Sequence, residues 1–190
     1  METERNTVLK FLVFSDSHGS FFNMREVFLR NRGTADGVFF LGDGLRDAEL
    51  LEQLSIRPTA FYAVSGNCDP VLSAPTLPAP AYRIEDIEGF RFLLCHGHTF
   101  GVKSGLSELL RFAGQIHADA VLYGHTHVPY CSGVRVGEKT VQIMCPGSIS
   151  RPAEGLPSFG MIEIRQGMLF MHTAELENSP SVLPRRANIP

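Results

Sequence analysis

Five short clusters of metal-binding residue types each follow an apolar run: Asp16-Ser17-His18, Gly42-Asp43, Gly66-Asn67, His96-Gly97-His98 and Gly124-His125-Thr126-His127. Five of the seven histidines fall inside them. Hard oxygen and neutral imidazole ligands, about seven in number, are too many for one divalent ion and suit two that share a bridging carboxylate. The chemistry this implies is metal-assisted hydrolysis of phosphate esters. Asp16 and His18 stand two apart, as do His125 and His127. Alternation in an extended segment puts each pair on one side, within reach of one ion. In three clusters a glycine precedes the first ligand (Gly42, Gly66, Gly124), where a missing Cβ lets the backbone turn sharply and approach the ions.

The elements that must carry these clusters are legible in the hydrophobic pattern. Val8 to Phe14 reads as a buried strand, 21–32 as a helix stopped by Gly33, Gly37 to Leu41 as a second strand, 46–54 as a helix and Thr59 to Val64 as a third strand. This alternation predicts a parallel sheet with right-handed crossovers. Ala81 to Glu88 and Phe90 to Cys95 read as a hairpin turning at Gly89, Ser104 to Ile116 as an amphipathic helix and Ala118 to Tyr123 as a buried strand. Four more strands follow at 131–136, 139–144, 158–164 and 167–173. The expected fold is α/β, a single domain over 1–175 made of a two-sheet β-sandwich flanked by helices, with a polar, proline-containing tail over 176–190. The clusters all follow strands, so they converge at one edge. Residues 70–80, with four prolines, form a loop bordering that edge. Phe21, Phe22, Val27, Phe28 and Leu29 are expected in the core, with Phe61, Phe90 and Phe92.

With 190 residues, 44% hydrophobic, the chain can bury a substantial core, and a net charge of −3 provides no basic field to recruit nucleic acid. The start METERNTV lacks the features of a signal peptide, and no apolar run approaches a membrane span. Cys68, Cys95, Cys131 and Cys145 have no CxxC spacing. A cytoplasmic protein with free thiols is the expectation.

The ordered series DSH, GD, GN, H and GHTH resembles the calcineurin-like metallophosphoesterases. More closely it is similar to their small bacterial and archaeal phosphodiesterase branch, which shares GNCD, HGH, YGHTH and the PGS of Pro146-Gly147-Ser148. The match spans roughly residues 8–173. The resemblance implies one ion on Asp16, His18 and His127, a second on Asn67, His96 and His125, and Asp43 bridging them. It leans to manganese, while the donor set also suits nickel, iron or zinc. The implied reaction is in-line displacement by a water activated between the ions.

The chain departs from larger members of the superfamily at Cys68, where they carry the histidine thought to protonate the leaving group. A thiol can donate a proton but cannot mimic a cationic imidazole, so aryl esters are expected to react far better than alkyl esters. Cys68 is thus either a catalytic acid or a small residue packed beside the site. His98 either donates to phosphate or holds a ligand in place, and Asp69 either orients a histidine or caps a turn before Pro70. Asn67 and His98 are the expected substrate contacts. Arg46, Lys103 and Arg151 read more readily as solvated surface groups, and His117 and His172 as structural or exposed.

A small phosphodiester or nucleotide-like molecule is the expected substrate, and a homodimer the expected assembly. Two other readings stand beside this one. A retromer subunit uses the same fold as a non-catalytic scaffold, and a phosphomonoesterase or nuclease would share the ion pair. No cluster of Lys and Arg with interleaved aromatics favours the nuclease.

Overall fold

The structure is a computed structural model that describes residues 8–70 and 77–177. Strand β1 (Val8–Phe14) is followed by α1 (Phe21–Asn31), β2 (Gly37–Phe40), α2 (Leu45–Glu52) and β3 (Ala60–Ala63). Then come β4 (Tyr82–Ile87), β5 (Phe90–Cys95), α3 (Ser107–Gln115), β6 (Ala120–Leu122), β7 (Pro129–Val136), β8 (Lys139–Pro146), β9 (Ser158–Arg165) and β10 (Met168–Glu175). Sequence periodicity found every strand. It did not find the single 3₁₀ turn at His98–Phe100, and it started α3 three residues early.

The strands form two five-stranded sheets, ordered β10-β9-β1-β2-β3 and β4-β5-β6-β8-β7. Each sheet is mixed rather than parallel. In the first, β1, β2 and β3 run parallel, β9 pairs antiparallel with β1, and β10 antiparallel with β9. In the second, β5, β6 and β8 run parallel, with β4 and β7 antiparallel at the edges. The carboxyl ends of the six parallel strands carry the expected clusters and the Pro146-Gly147-Ser148 segment.

Alternation along β1 shows why the layers form. Phe11 and Val13 face the second sheet, joining Phe39, Leu41, Phe92, Leu94, Leu122 and Met144 between the sheets. Leu12 and Phe14 face outward against Met24, Val27 and Phe28 of α1 and Ala48 and Leu51 of α2. On the far side, Leu93, Cys95, Val121 and Ile143 pack against Leu109 and Ala113 of α3. Helices therefore cover both outer faces. Phe39 stacks between Phe11 and Phe92, with ring centroids 5.0 and 5.6 Å away. Truncating such a fully buried ring to alanine costs about 3–5 kcal/mol.

Several apolar assignments need correction. Phe22 is 49% exposed, because it stands two positions from Met24 and about 200° of helical rotation turns it away from the sheet. Leu29, Phe61 and Phe90 are only half-buried. Leu176, assigned to the tail, is buried against the α1 side of the core, and its N–H donates to the Pro157 carbonyl at 2.7 Å. Most of the expected loop at 70–80 and the tail beyond 177 lie outside the described residues. Leu77 is buried, and the Pro80 carbonyl accepts the Ser65 N–H. Among the described residues, no helix is long and apolar enough to cross a membrane.

Candidate metal centre

The loops that leave the parallel strands do not stay extended. Asp16, His18, Asp43, His125 and His127 all have left-handed backbone, with φ of 56°, 48°, 59°, 69° and 59°. Strand alternation therefore does not bring the pairs together. Tight left-handed kinks do, each unfavourable for an L-residue by about 1–2 kcal/mol. Hydrogen bonds between loops offset this: Asp16 N–H donates to Gly42 O (3.0 Å), His18 N–H to Asp43 O (2.9 Å) and Gly124 N–H to His96 O (3.0 Å). The glycines have a different use from the one expected. Only Gly42 of the three has positive φ, 93°. At Gly66 and Gly124 a Cβ would strike the Asp43 carboxylate and the Ser15 hydroxyl, so the close approach is to protein groups.

Two carbonyl oxygens set the imidazole tautomers. His96 Nδ1 lies 2.7 Å from Leu41 O, and His127 Nδ1 lies 2.6 Å from Arg151 O. A carbonyl can only accept, so each Nδ1 carries the hydrogen and each neutral ring turns a bare Nε2 inward. There His127 Nε2 meets His18 Nε2 at 3.2 Å and Asp16 Oδ1 at 3.1 Å. His96 Nε2 meets Asn67 Oδ1 at 3.2 Å and Asp43 Oδ2 at 3.4 Å. Asp16 is fully buried, yet its Oδ1 has no hydrogen bond. Lone pairs facing one another in a buried place require cations or protons between them. The residues present fit a divalent ion on this ground.

The electrostatics agree. For Asp43, burial alone favours the neutral acid, but the Cys68 N–H, and the His96 ring when it also carries a proton on Nε2, hold its pKa well below the ordinary value. The Asp16 carboxylate raises His127. Burial works against the charged form of His96, but Asp43 and Asp16 outweigh it and the net shift is upward. His18 and His98 are lowered, chiefly by burial, and burial with His96 and Lys103 nearby lowers His125 to about 4.

Three trios could each hold an ion, their ligand atoms within 4.8 Å of one another: Asp16–His18–His127, Asp16–Asp43–His96 and His18–Asp43–Cys68. The first coincides with the expected set for one ion. His125 is in none of the three, although its ring lies 5.0 Å from that of His96. Asn67 is exposed, and its Nδ2 donates to Cys68 Sγ at 3.2 Å. Cys68 is an exposed free thiol whose pKa is raised, first by its hydrogen bond to Asp43 and then by burial. Its backbone N–H donates to Asp43 Oδ1 at 2.7 Å. His98 sits 5.4 Å from the His96 ring, and its Nδ1 is buried with no hydrogen-bond partner.

Asp69 is paired with no histidine among the described residues; it caps the turn before Pro70, as the second expectation had it, and reaches further. Its carboxylate accepts four backbone N–H groups, from Asp43 (2.8 Å), Gly44 (2.7 Å), Leu45 (2.9 Å) and Gly66 (2.8 Å). It thereby caps α2 and ties the β2 loop to the β3 loop. Cys95 and Cys145 are buried, and burial drives both thiol pKa values up, Cys145 to about 11. His117 and His172 are exposed.

Sequence reasoning missed the residues that brace the site. Asp47 of α2 is buried and accepts Ser17 Oγ (2.6 Å) and Gly19 N–H (3.0 Å). Ser15 Oγ donates to Asp16 Oδ2 at 2.6 Å, beside the His125 N–H at 3.0 Å. Ser148 Oγ donates to Asp16 O (2.7 Å) while accepting the Arg151 N–H (2.7 Å), and Ser150 Oγ donates to Ser17 O (2.8 Å). The PGS sequence was a usable pointer to this segment. Asp47 is one of three acids in α2 and gave none. A cavity of about 410 Å³ opens beside the cluster, lined by His18, Asp43, Arg46, Cys68 and Arg151 among others.

A fold with ligands at the parallel strand ends of two packed sheets defines a metallophosphoesterase-type protein. Residues 9–167 match the model of the calcineurin-like phosphoesterase superfamily domain, and the chain belongs to that superfamily. A probable metallophosphoesterase of Mycoplasma genitalium is 26% identical over 148 residues, 76% of this chain and 80% of that one. A predicted phosphoesterase of Streptococcus pneumoniae has a solved structure with a TM-score of 0.71 and 27% identity, covering 89% of this chain and 90% of the other. An archaeal phosphodiesterase shares the fold with a TM-score of 0.68 at 21% identity, over 87% of this chain and all of that one. Solved Vps29 chains share it as well.

Proposed function

We propose that this protein is a metal-dependent phosphodiesterase of the cytoplasm, acting on small phosphodiesters or nucleotide-like molecules. The observation that carries the reading is Asp16 Oδ1, buried without a hydrogen bond and facing the Nε2 atoms of His127, His18 and His96 at 3.1, 3.8 and 3.9 Å. In this reading Asp16, His18 and His127 hold one ion, Asn67, His96 and His125 hold the other, and Asp43 serves both. When bound, two dications would supply Lewis acidity, an activated water and positive charge in excess of the two carboxylates. Manganese is the preferred ion, and nickel, iron and zinc suit the same oxygen and nitrogen donors.

The chain's own groups have separate tasks. Against the effect of burial, the Cys68 N–H donates to Asp43 Oδ1 and favours its ionised form. Leu41 O and Arg151 O hold the His96 and His127 rings in the tautomer that presents Nε2. Asn67, exposed at the rim, and His98 beside His96 are placed to donate to phosphoryl oxygen. With its pKa raised, Cys68 is a weak proton donor, so aryl esters, whose leaving oxygens need no proton, remain the preferred substrates.

The test is a screen of divalent ions against paired chromogenic mono- and diesters, using purified, metal-stripped protein. Metal-dependent diester turnover that disappears in Asp43→Asn and His125→Ala is expected. Turnover surviving both substitutions, or absent with every ion, removes the reading. The Vps29 neighbours favour a second reading, a protein-binding scaffold. It predicts ion binding without turnover of any ester.

A further inference from the structure

Sequence alone placed Arg46 and Arg151 among solvated surface groups. The structure sets them on the same cavity as His18, Asp43 and Cys68, although one arginine comes from α2 and the other from the loop after β8. Lys103 is not part of that lining. We propose that this cavity is a subsite for a second phosphate group of the substrate, held between the Arg46 and Arg151 guanidinium groups. The proposal rests on the phosphodiesterase reading and narrows it to diesters or anhydrides in which one half carries a further phosphate.

The two arginines are available in different ways. Arg46 is 79% exposed in its side chain and pairs with Glu49 at 3.1 Å. Glu49 is itself buried, so Arg46 keeps this pair through one nitrogen while other N–H donors of its exposed guanidinium can address a phosphate. Arg151 starts from a fixed main chain, whose N–H donates to Ser148 Oγ (2.7 Å) and whose carbonyl holds His127. Its guanidinium reaches His18 O at 3.5 Å, and a guanidinium has five N–H donors, several of which can address a phosphate together.

The start of α2 lines the same cavity but is not the anion site. The Gly44 and Leu45 N–H groups already donate to Asp69. Asp69 also lines the cavity, and its negative charge is met by four backbone N–H groups. The guanidinium groups are the cationic side chains of the lining, at the side of the ion cluster where a substrate's remaining half would extend. A volume of about 410 Å³ is at the small end for a ligand pocket and accommodates a phosphorylated sugar.

The test uses the full-length, manganese-loaded protein and two matched pairs of molecules differing by one phosphate. In calorimetry, thymidine 3′,5′-bisphosphate should bind about tenfold more tightly than thymidine 5′-monophosphate, the effect of one charge-assisted hydrogen bond. In kinetics, thymidine 5′-(p-nitrophenyl phosphate) should show a KM about tenfold lower when it carries a 3′-phosphate. Arg46→Gln and Arg151→Gln should each shrink both ratios, with Arg46→Lys and Arg151→Lys restoring part of them. Equal affinities in the wild-type protein, or ratios unchanged in both glutamine variants, overturn the subsite. A bisphosphate preference without hydrolysis of any diester leaves the subsite standing and removes the phosphodiesterase reading. Hydrolysis without a preference does the reverse.

Discussion

The two sides of the metal centre are built differently. On the side of Asp16, His18 and His127, side chains brace the loop: Ser15, Asp47, Ser148 and Ser150 each donate to or accept from the β1 loop, and Arg151 O fixes the His127 ring. On the side of Asn67 and His98, the asparagine is exposed and the His98 Nδ1 has no partner. Asp43 lies between them, its loop pinned by Asp69. The difference teaches that one side is preorganised by its fold while the other is completed by what it binds. In the proposed reading, the braced side holds groups that repel one another without a cation, and the open side leaves donors for phosphate.

The largest effect should come from the group both sides share. Asp43→Asn is expected to lower kcat/KM by about 10³-fold, equivalent to about 4 kcal/mol of barrier, at saturating manganese. A loss under tenfold would show that the two sides work independently. Next in size is the bracing. Ser148→Ala removes the hydroxyl that joins Asp16 O to the Arg151 N–H and should cost about 10–100-fold in metal affinity or activity, as read by metal titration and rate. An unchanged metal affinity would mean that the braced side does not need its scaffold.

A smaller effect separates the histidines by pH in the metal-free protein. His125 is lowered to about 4 from 6.5, so between those values the unfolded chain takes the proton first and this contribution to stability falls with acid. His127 is raised, so its contribution is full below pH 6.5 and is lost as pH rises through the folded value. Melting temperatures from pH 4 to 8 should show a flatter acid limb in His125→Ala and a flatter alkaline limb in His127→Ala. The opposite pattern would break the distinction. The smallest effect belongs to Cys68→Ser on the open side. The backbone N–H that supports Asp43 is unchanged by this substitution. Aryl diester turnover should stay within about threefold, under 1 kcal/mol of barrier; a larger drop would assign the thiol a part in proton transfer.

The strands were legible because buried β-structure writes continuous or alternating apolar runs, as in VLKFLVF. The ligand types and their order were legible for a similar reason: hydrolytic ions accept few side chains, and those side chains must leave strand ends. The geometry of the loops was not. Asp16, His18, His125 and His127 adopt left-handed backbone that their own sequence disfavours, held by bonds from segments as distant as Ser148. Phe22 reads as core by type and is exposed by phase. Asp69 reads as a partner for histidine or a cap for its own turn; it caps the turn and also gathers N–H groups from the β2 loop, which its neighbours in sequence do not signal. Arg46 and Arg151, far apart in the chain, share a cavity that no local pattern announces.

Residue order alone determined the two-sheet architecture, the elements and the inventory of oxygen and nitrogen ligands, because periodic burial and ligand chemistry are local properties of residue types. Tertiary structure decided which lone pairs face each other, which carbonyls fix the imidazole tautomers and which cations border the groove. Those relations depend on distances of about 3 Å between atoms 24 to 132 residues apart, and only the packing of loops from different strands sets them.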